Sequence, residues 1–238
     1  MTHTRAPVVF TLDGEELPFA PGETILEAAT RAGHYIPHLC WHEGYAPHGS
    51  CRTCLVKAGT RTVAACSTRV TPDLEVTLAD DDLAAQRQAV LQMLFVEGNH
   101  FCPSCEKSGH CRLQATAYAE GIAGPHFEEF YPDRPIDASH PELLLDFNRC
   151  ILCGLCVRAS AERDGKAVFA LGGHGISSHL VVNSPSGRLV DSDIHPDDVA
   201  VAICPVGVIL KKRTGFAVPI GQRPFDVHAI ADEGQDER

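Results

Sequence analysis

The chain has 238 residues, 11 of them cysteine, with 20 Lys and Arg against 31 Asp and Glu for a formal charge of −11. That length gives one or two domains with a buried core, and 44% hydrophobic residues exclude a disordered chain. The acidic balance argues against nucleic acid as a partner, because phosphate binding needs a basic face.

Residues 8–12 (VVFTL) alternate, meet the turn dipeptide Asp13-Gly14 and return through residues 17–19, which predicts a hairpin. Residues 24–32 place Ile25, Leu26, Ala29 and Ala32 on one helical face, with Glu27 and Arg31 spaced to pair four apart and Gly33 as the stop. Strand-like segments follow at 54–57, 62–65 and 74–78, giving a small α+β domain to about residue 80. Residues 80–98 predict the longest helix, started by Asp80, Asp81 and Asp82 and closed by Gly98-Asn99. Its apolar face is Leu83, Val90, Leu91, Leu94 and Phe95. A shorter helix over 112–120 stops at Gly121, and the proline-rich stretch 121–141 reads as an extended connector. Beyond it, two cysteine-bearing segments flank short strands, and the polar last residues are expected to fray. The domain boundaries expected are 1–80, 81–125 and 126–238.

No apolar stretch approaches the roughly 20 residues of a membrane span; residues 199–204 are among the longest. No signal-peptide pattern opens the chain. The expected compartment is therefore the cytoplasm, where disulfides are rare. An odd number of cysteines also cannot all pair internally, so the thiols read as metal ligands.

Their spacing divides them into three sets. Cys40, Cys51, Cys54 and Cys66 run C-x10-C-x2-C-x11-C around the small-residue loop Gly49-Ser50-Cys51-Arg52-Thr53-Cys54. Four thiolates, two per iron, suit a 2Fe–2S cluster, and the pattern resembles the 2Fe–2S ferredoxins. A structural zinc site would more often show two tight C-x2-C pairs. A Rieske centre would need a second His where Lys57 stands. The second set, Cys102, Cys105 and Cys111, lies in GNHFCPSCEKSGHC (98–111) and lacks a fourth thiol for a 4Fe–4S cluster. The segment resembles the His-plus-three-Cys site of complex I and its relatives. His100 is the candidate fourth ligand, with His110 as its rival. An imidazole in place of a thiolate removes a negative charge and eases reduction. The third set is Cys150, Cys153 and Cys156 in C-x2-C-x2-C, with Cys204-Pro205 far downstream. It is the bacterial ferredoxin 4Fe–4S signature with its last cysteine displaced. The sets hold 4, 3 and 4 cysteines, so all 11 are used.

Other chemistry is missing from the sequence. No G-x-G-x-x-G follows a strand, and Leu171-Gly172-Gly173-His174-Gly175 reads as a turn. Cys153-Gly154-Leu155-Cys156 matches half of a nickel–iron motif whose other half, D-P-C-x-x-C, is absent. His34, His38, His42 and His48 read as surface histidines. The chain thus offers redox centres, with no catalytic residue and no substrate site of its own.

From residue 8 to about 230 the sequence resembles the small iron–sulfur, diaphorase-side subunit of soluble NAD-reducing nickel–iron hydrogenases. The segments that carry this are GNHFCPSCEKSG (98–109), AICPVGVILKKRTG (202–215) and Pro-Ile-Gly-Gln-Arg-Pro (219–224). The single residue between His100 and Cys102 also matches that group better than complex I. Leu155 departs from it, since relatives usually carry a basic residue before the third cysteine. The resemblance implies an N-terminal β-grasp 2Fe–2S ferredoxin domain, a small helical His/Cys 4Fe–4S domain and a C-terminal ferredoxin-like 4Fe–4S domain. It implies a flavin/NAD-binding diaphorase subunit and nickel–iron hydrogenase small and large subunits as partners, with electrons passing between them. The alternatives are the same wire in an NAD-dependent formate dehydrogenase or another complex I-like assembly, and, in a different class, a zinc-binding scaffold.

Overall fold

The computed structural model describes residues 8–124 and 126–233. The chain opens on the expected hairpin, β1 (Val9–Leu12) and β2 (Glu15–Pro18), turning at Asp13 and Gly14 with positive φ. Phe10, Leu12 and Leu17 point into one core. Thr24 caps α1 (Ile25–Arg31): its hydroxyl accepts from the Glu27 N–H, and the Glu27 carboxylate accepts from the Thr24 N–H at 2.8 Å. Glu27 is committed to that capping box, so the expected pair with Arg31 does not form. Arg31 binds Glu23 instead. Strands β3 (Leu55–Ala58), β4 (Arg61–Ala64) and β5 (Glu75–Thr77) complete a mixed sheet ordered β2-β1-β5-β3-β4, in which only β1 and β5 run parallel. Ile25, Leu26, Ala28 and Ala29 of α1 share its core with Val56 and Val76.

Helix α2 (Asp81–Glu97) starts where Asp80 accepts from the Leu83 N–H at 3.0 Å, and Lys57 of β3 pairs with the same carboxylate. Leu83 and Leu91 are fully buried, while Val90, Leu94 and Phe95 are half-buried. Two polar residues, Arg87 and Gln92, are buried on this helix as well. Helix α3 (Arg112–Ala119) is tied back to α2 by Gln88, whose side chain donates to the Glu120 carbonyl at 2.8 Å.

The connector after α3 contains one short strand, β6 (Ile136–Asp137), which joins β7 (Leu143–Asp146) and β10 (Ile209–Lys211) in an antiparallel sheet ordered β10-β7-β6. Between them come α4 (Leu155–Glu162), the hairpin of β8 (Phe169–Gly172) and β9 (His179–Val182), and α5 (Val199–Ala202). The glycine-rich 172–175 stretch leads out of β8 into the turn of this hairpin, as expected. Residues 214–233 hold a defined path, with α6 (Pro224–Val227), a buried Ile230 and an Arg112–Glu233 ion pair at 2.8 Å. The expected frayed end, 234–238, lies outside the described residues.

The interior forms two cores. The sheet and α1 enclose one, and the remaining elements enclose the other. Leu39, Cys40, Tyr45 and Cys51 come from the first domain's cysteine loop but lie in the second core. Among the described residues, no helix is long and apolar enough to cross a membrane.

Candidate iron–sulfur sites

The first set is assembled by a loop and a hairpin. Cys54 precedes β3 and Cys66 follows β4, so the register Leu55↔Ala64 sets the two side by side. Cys40 and Cys51 come from the loop, and all four are buried. The Cys40 sulfur takes hydrogen bonds from Cys51 and Cys66, and the Cys54 sulfur from Cys66. These bonds favour the thiolates of Cys40 and Cys54, whereas the donor role and then burial hold Cys51 and Cys66 protonated. Arg52, inside the tight pair, sits at φ 55°, and Thr53 Oγ1 lies 3.1 Å from Cys51 Sγ. A left-handed residue in such a loop turns successive amides inward, the form that cradles anions.

The neighbouring histidines differ from expectation. His34 is half-buried beside Glu15, and His42 and His48 are exposed. His38 is buried: one ring nitrogen contacts the Ile36 carbonyl at 2.8 Å and the other faces Arg112 at 3.2 Å. Desolvation and the Arg112 charge push its pKa down to about 4. The surface reading fails there because aromatic packing on Trp41 and the long-range Arg112 contact enclose the ring.

The second set brackets the junction of α2 and α3. Cys102 and Cys105 border a single 3-10 turn, and Cys111 is the N-cap of α3. The three thiols interact electrostatically, and burial pushes Cys111 up to about 12. His100 packs edge-on against Phe95 at 5.7 Å. Among the described residues, two buried side-chain nitrogens have no hydrogen-bond partner, His100 Nε2 and Trp41 Nε1. Burial, then Arg149 and Arg134, push the His100 pKa down to about 4, so its imidazole is neutral at pH 7 with a lone pair to give. His110 is exposed. Both histidines and Cys102 line one groove of about 1120 Å³ beneath residues 214–220.

The third set shows why its last cysteine can be so distant in sequence. β10 pairs antiparallel with β7 in the register Ile209↔Leu145, and the Asp146 N–H donates to the Val208 carbonyl at 2.8 Å. Cys204, a few residues before β10, is thereby brought within electrostatic reach of Cys150, a few residues after β7. Leu152 at φ 52° and Gly154 at φ 68° turn the C-x2-C-x2-C loop inward, and Cys156 lies in the first turn of α4. Burial raises Cys150 to about 11 and also lifts Cys153 and Cys156. Such thiols ionise only when a metal takes the proton's place. Among the described residues, no three donors converge as one single metal ion requires. The thiols fall in groups of three and four, with left-handed residues in the loops of the two tight motifs, a donor set that suits iron–sulfur clusters.

The three sets adjoin one another. Arg158 of α4 donates to the Cys40 carbonyl at 2.7 Å and to the Ala46 carbonyl at 2.6 Å, and Cys153 lies within electrostatic reach of Cys40. Arg149, next to Cys150, reaches Cys105. Sequence reasoning marked neither arginine, because nothing in a linear motif marks a contact made 118 residues away, as that of Arg158 with Cys40 is.

Three family models match the chain. Residues 5–81 match a 2Fe-2S iron-sulfur cluster binding domain, 87–126 the NADH-ubiquinone oxidoreductase-G iron-sulfur binding region, and 143–210 a 4Fe-4S single cluster domain. The gamma subunit of the NAD-reducing hydrogenase HoxS of Cupriavidus necator is 37% identical over 235 residues, covering 96% of this chain and 99% of the relative. The chain belongs to the family of iron–sulfur subunits of NAD-reducing hydrogenases. A family structure, NAD+-reducing [NiFe]-hydrogenase in the H2-reduced state, contains a chain 54% identical with a TM-score of 0.91, over 95% of this chain and 98% of that one. Longer relatives share the same region. The alpha subunit of NADPH-Fe(3+) oxidoreductase of Geobacter sulfurreducens is 31% identical over 88% of this chain, and the G subunit of NADH-quinone oxidoreductase of Mycobacterium tuberculosis is 33% identical over 92%. This family member spans only 24% and 27% of those two proteins.

Proposed function

We propose that the chain is the electron-transfer subunit of a hydrogen:NAD oxidoreductase complex, with three iron–sulfur clusters and no substrate site of its own. The observation that carries this is the placing of the cysteines. All 11 are unpaired, and each falls in one of three groups that lie inside the three matched regions. Cys40, Cys51, Cys54 and Cys66 hold a 2Fe–2S cluster. His100, Cys102, Cys105 and Cys111 hold one 4Fe–4S cluster, and Cys150, Cys153, Cys156 and Cys204 hold the other. The orphaned Nε2 of His100 and the exposure of His110 favour His100 as the twelfth ligand. The mixed sheet over α1 fits a β-grasp ferredoxin fold for residues 1–80, followed by a helical unit over 81–125 and a ferredoxin-like unit over 126–238.

Bound clusters supply one-electron transfer. The protein's residues do the rest. They hold the thiolates, turn amides toward them, exclude water by burial and set the centres beside one another. The contacts of Arg158 and Arg149 support a relay in which the third site stands between the other two. Exposed Phe101, Tyr118, Phe216 and Ile220 around the second site suit burial against a partner. The partners in this reading are a flavin/NAD-binding diaphorase subunit and the nickel–iron hydrogenase small and large subunits, in a cytoplasmic assembly.

The native complex is expected to reduce NAD with hydrogen, to contain nickel, and to carry about ten irons on this chain, 2 plus 4 plus 4 by cluster type. Reduction of NAD by formate alone, or zinc in place of iron, would overturn the assignment. Cys153→Ser is expected to abolish hydrogen–NAD coupling while NADH oxidation with an artificial acceptor persists at the diaphorase.

A further inference from the structure

Arg149 precedes Cys150 in sequence, yet its guanidinium turns toward the second site. Nη1 lies 3.6 Å from Cys105 Sγ, 2.7 Å from Glu106 Oε2 and 3.4 Å from the Gly207 carbonyl, and Nε forms an ion pair with Asp146 at 2.8 Å. Its side chain is only 17% exposed. Among the described residues, no other cation is hydrogen-bonded to a cysteine sulfur. Gly207, three residues after Cys204, meets the same point. A Cβ there would stand 3.2 Å from both Arg149 Nη1 and Cys105 Sγ, so the absent side chain lets the Cys204 loop close on the pair. One guanidinium therefore touches a thiol of the second set and the backbone that carries the fourth thiol of the third.

The ion pair with Asp146 and the bonds to Glu106 and the Gly207 carbonyl hold the guanidinium beside Cys105. A fixed cation and an N–H donor at a ligand sulfur stabilise the more negative, reduced state of the centre that sulfur holds. Glu106, 32% exposed, and the more buried Asp146 each offset part of that charge. We propose that Arg149 is a positioning residue that raises the reduction potential of the centre held by Cys102, Cys105 and Cys111, and locks it against the Cys204 loop of its neighbour. The step it assists is a single-electron exchange: the second site gains the electron that the third site loses, or the reverse, with no bond made or broken. This rests on the assignment of clusters to these cysteines.

The test is an anaerobic redox titration of the native complex followed by electron paramagnetic resonance, with iron counted, in wild type, Arg149→Met, Arg149→Lys and Glu106→Gln. Cys105→Ser identifies the second site's signal. Arg149→Met is expected to lower the second site's reduced-to-oxidised ratio about tenfold at fixed potential, which is about 59 mV for a one-electron couple. The 2Fe–2S midpoint stays in place, and Arg149→Lys recovers part of the shift. Glu106→Gln, which removes the competing negative charge, moves the same midpoint upward. If Arg149→Met loses iron, the Glu106→Gln variant decides: no upward shift of the second site's midpoint in Glu106→Gln with all iron retained overturns the proposal. An unchanged midpoint in an iron-replete Arg149→Met overturns it too. A wild-type complex with no four-iron signal sensitive to Cys105→Ser instead overturns the cluster assignment on which the proposal stands.

Discussion

The ion pair between α2 and the end of α3 makes a strong claim about stability. Arg87 Nε donates to Glu120 Oε2 at 2.8 Å, with side chains only 7% and 11% exposed. Its Nη1 also donates to the carbonyls of Leu55 and Leu78, both at 3.3 Å, so one guanidinium joins the N-terminal sheet to the helical unit. Charge centres about 4 Å apart attract by about 4 kcal/mol at an effective dielectric of about 20. Glu120→Ala leaves the guanidinium buried with carbonyls alone, which costs about 3–5 kcal/mol. That loss is expected to reduce amide hydrogen-exchange protection in α3 by between about a hundredfold and a few thousandfold, since about 1.4 kcal/mol is tenfold. Replacing both partners by Arg87→Met with Glu120→Leu removes the stranded charge. The double variant is therefore expected to lose less than the sum of Arg87→Met alone and Glu120→Leu alone, with a coupling energy of about 2–3 kcal/mol. A coupling below about 0.5 kcal/mol, the range of a solvated surface pair, would refute the reasoning.

Two further outcomes are expected. Burial pushes Tyr35 up to about 12, with its hydroxyl 3.2 Å from Thr116 Oγ1. The raised value means stability held below pH 10 and lost as pH rises from about 10 to 12, by about 3 kcal/mol; Tyr35→Phe should flatten that alkaline limb of a thermal-midpoint profile, and parallel limbs in the two proteins would count against it. Leu145 of β7 is fully buried opposite Ile209. Leu145→Ala should cost about 2–5 kcal/mol and loosen Cys204 against Cys150, which equilibrium unfolding and the four-iron signal of the third site would show; equal loss of the 2Fe–2S signal would argue for general unfolding instead.

The sequence is a good guide where the chemistry is local and a poor one where it is not. The Asp80 cap and the Asp13-Gly14 turn are statements about residues within a few positions of one another, and the structure contains both features. The Glu27–Arg31 pair fails for a local reason that was also present in the sequence: Thr24 offers Glu27 a capping box, and Glu23 offers Arg31 a carboxylate. Nothing in the linear pattern sets Arg87, Arg149 and Arg158 apart from other arginines. Each turns to carbonyls, carboxylates or sulfur supplied from distant elements. His38 is misread for the same reason, since Arg112 reaches it across 74 residues.

The seating of the first cysteine loop in the second core bears on how the protein is made. A ribosome delivers the N-terminal sheet and α1 first, and domains generally fold as they emerge. Leu39 and Tyr45 then wait with an open apolar flank until α4 arrives with Arg158, which holds the Cys40 and Ala46 carbonyls and stacks on the Tyr45 ring. The N-terminal unit is therefore closed by residues synthesised more than a hundred positions later. A fragment cut at residue 80 would keep its sheet yet present that loop bare to solvent, so iron loaded there before translation ends would sit in an unsealed pocket.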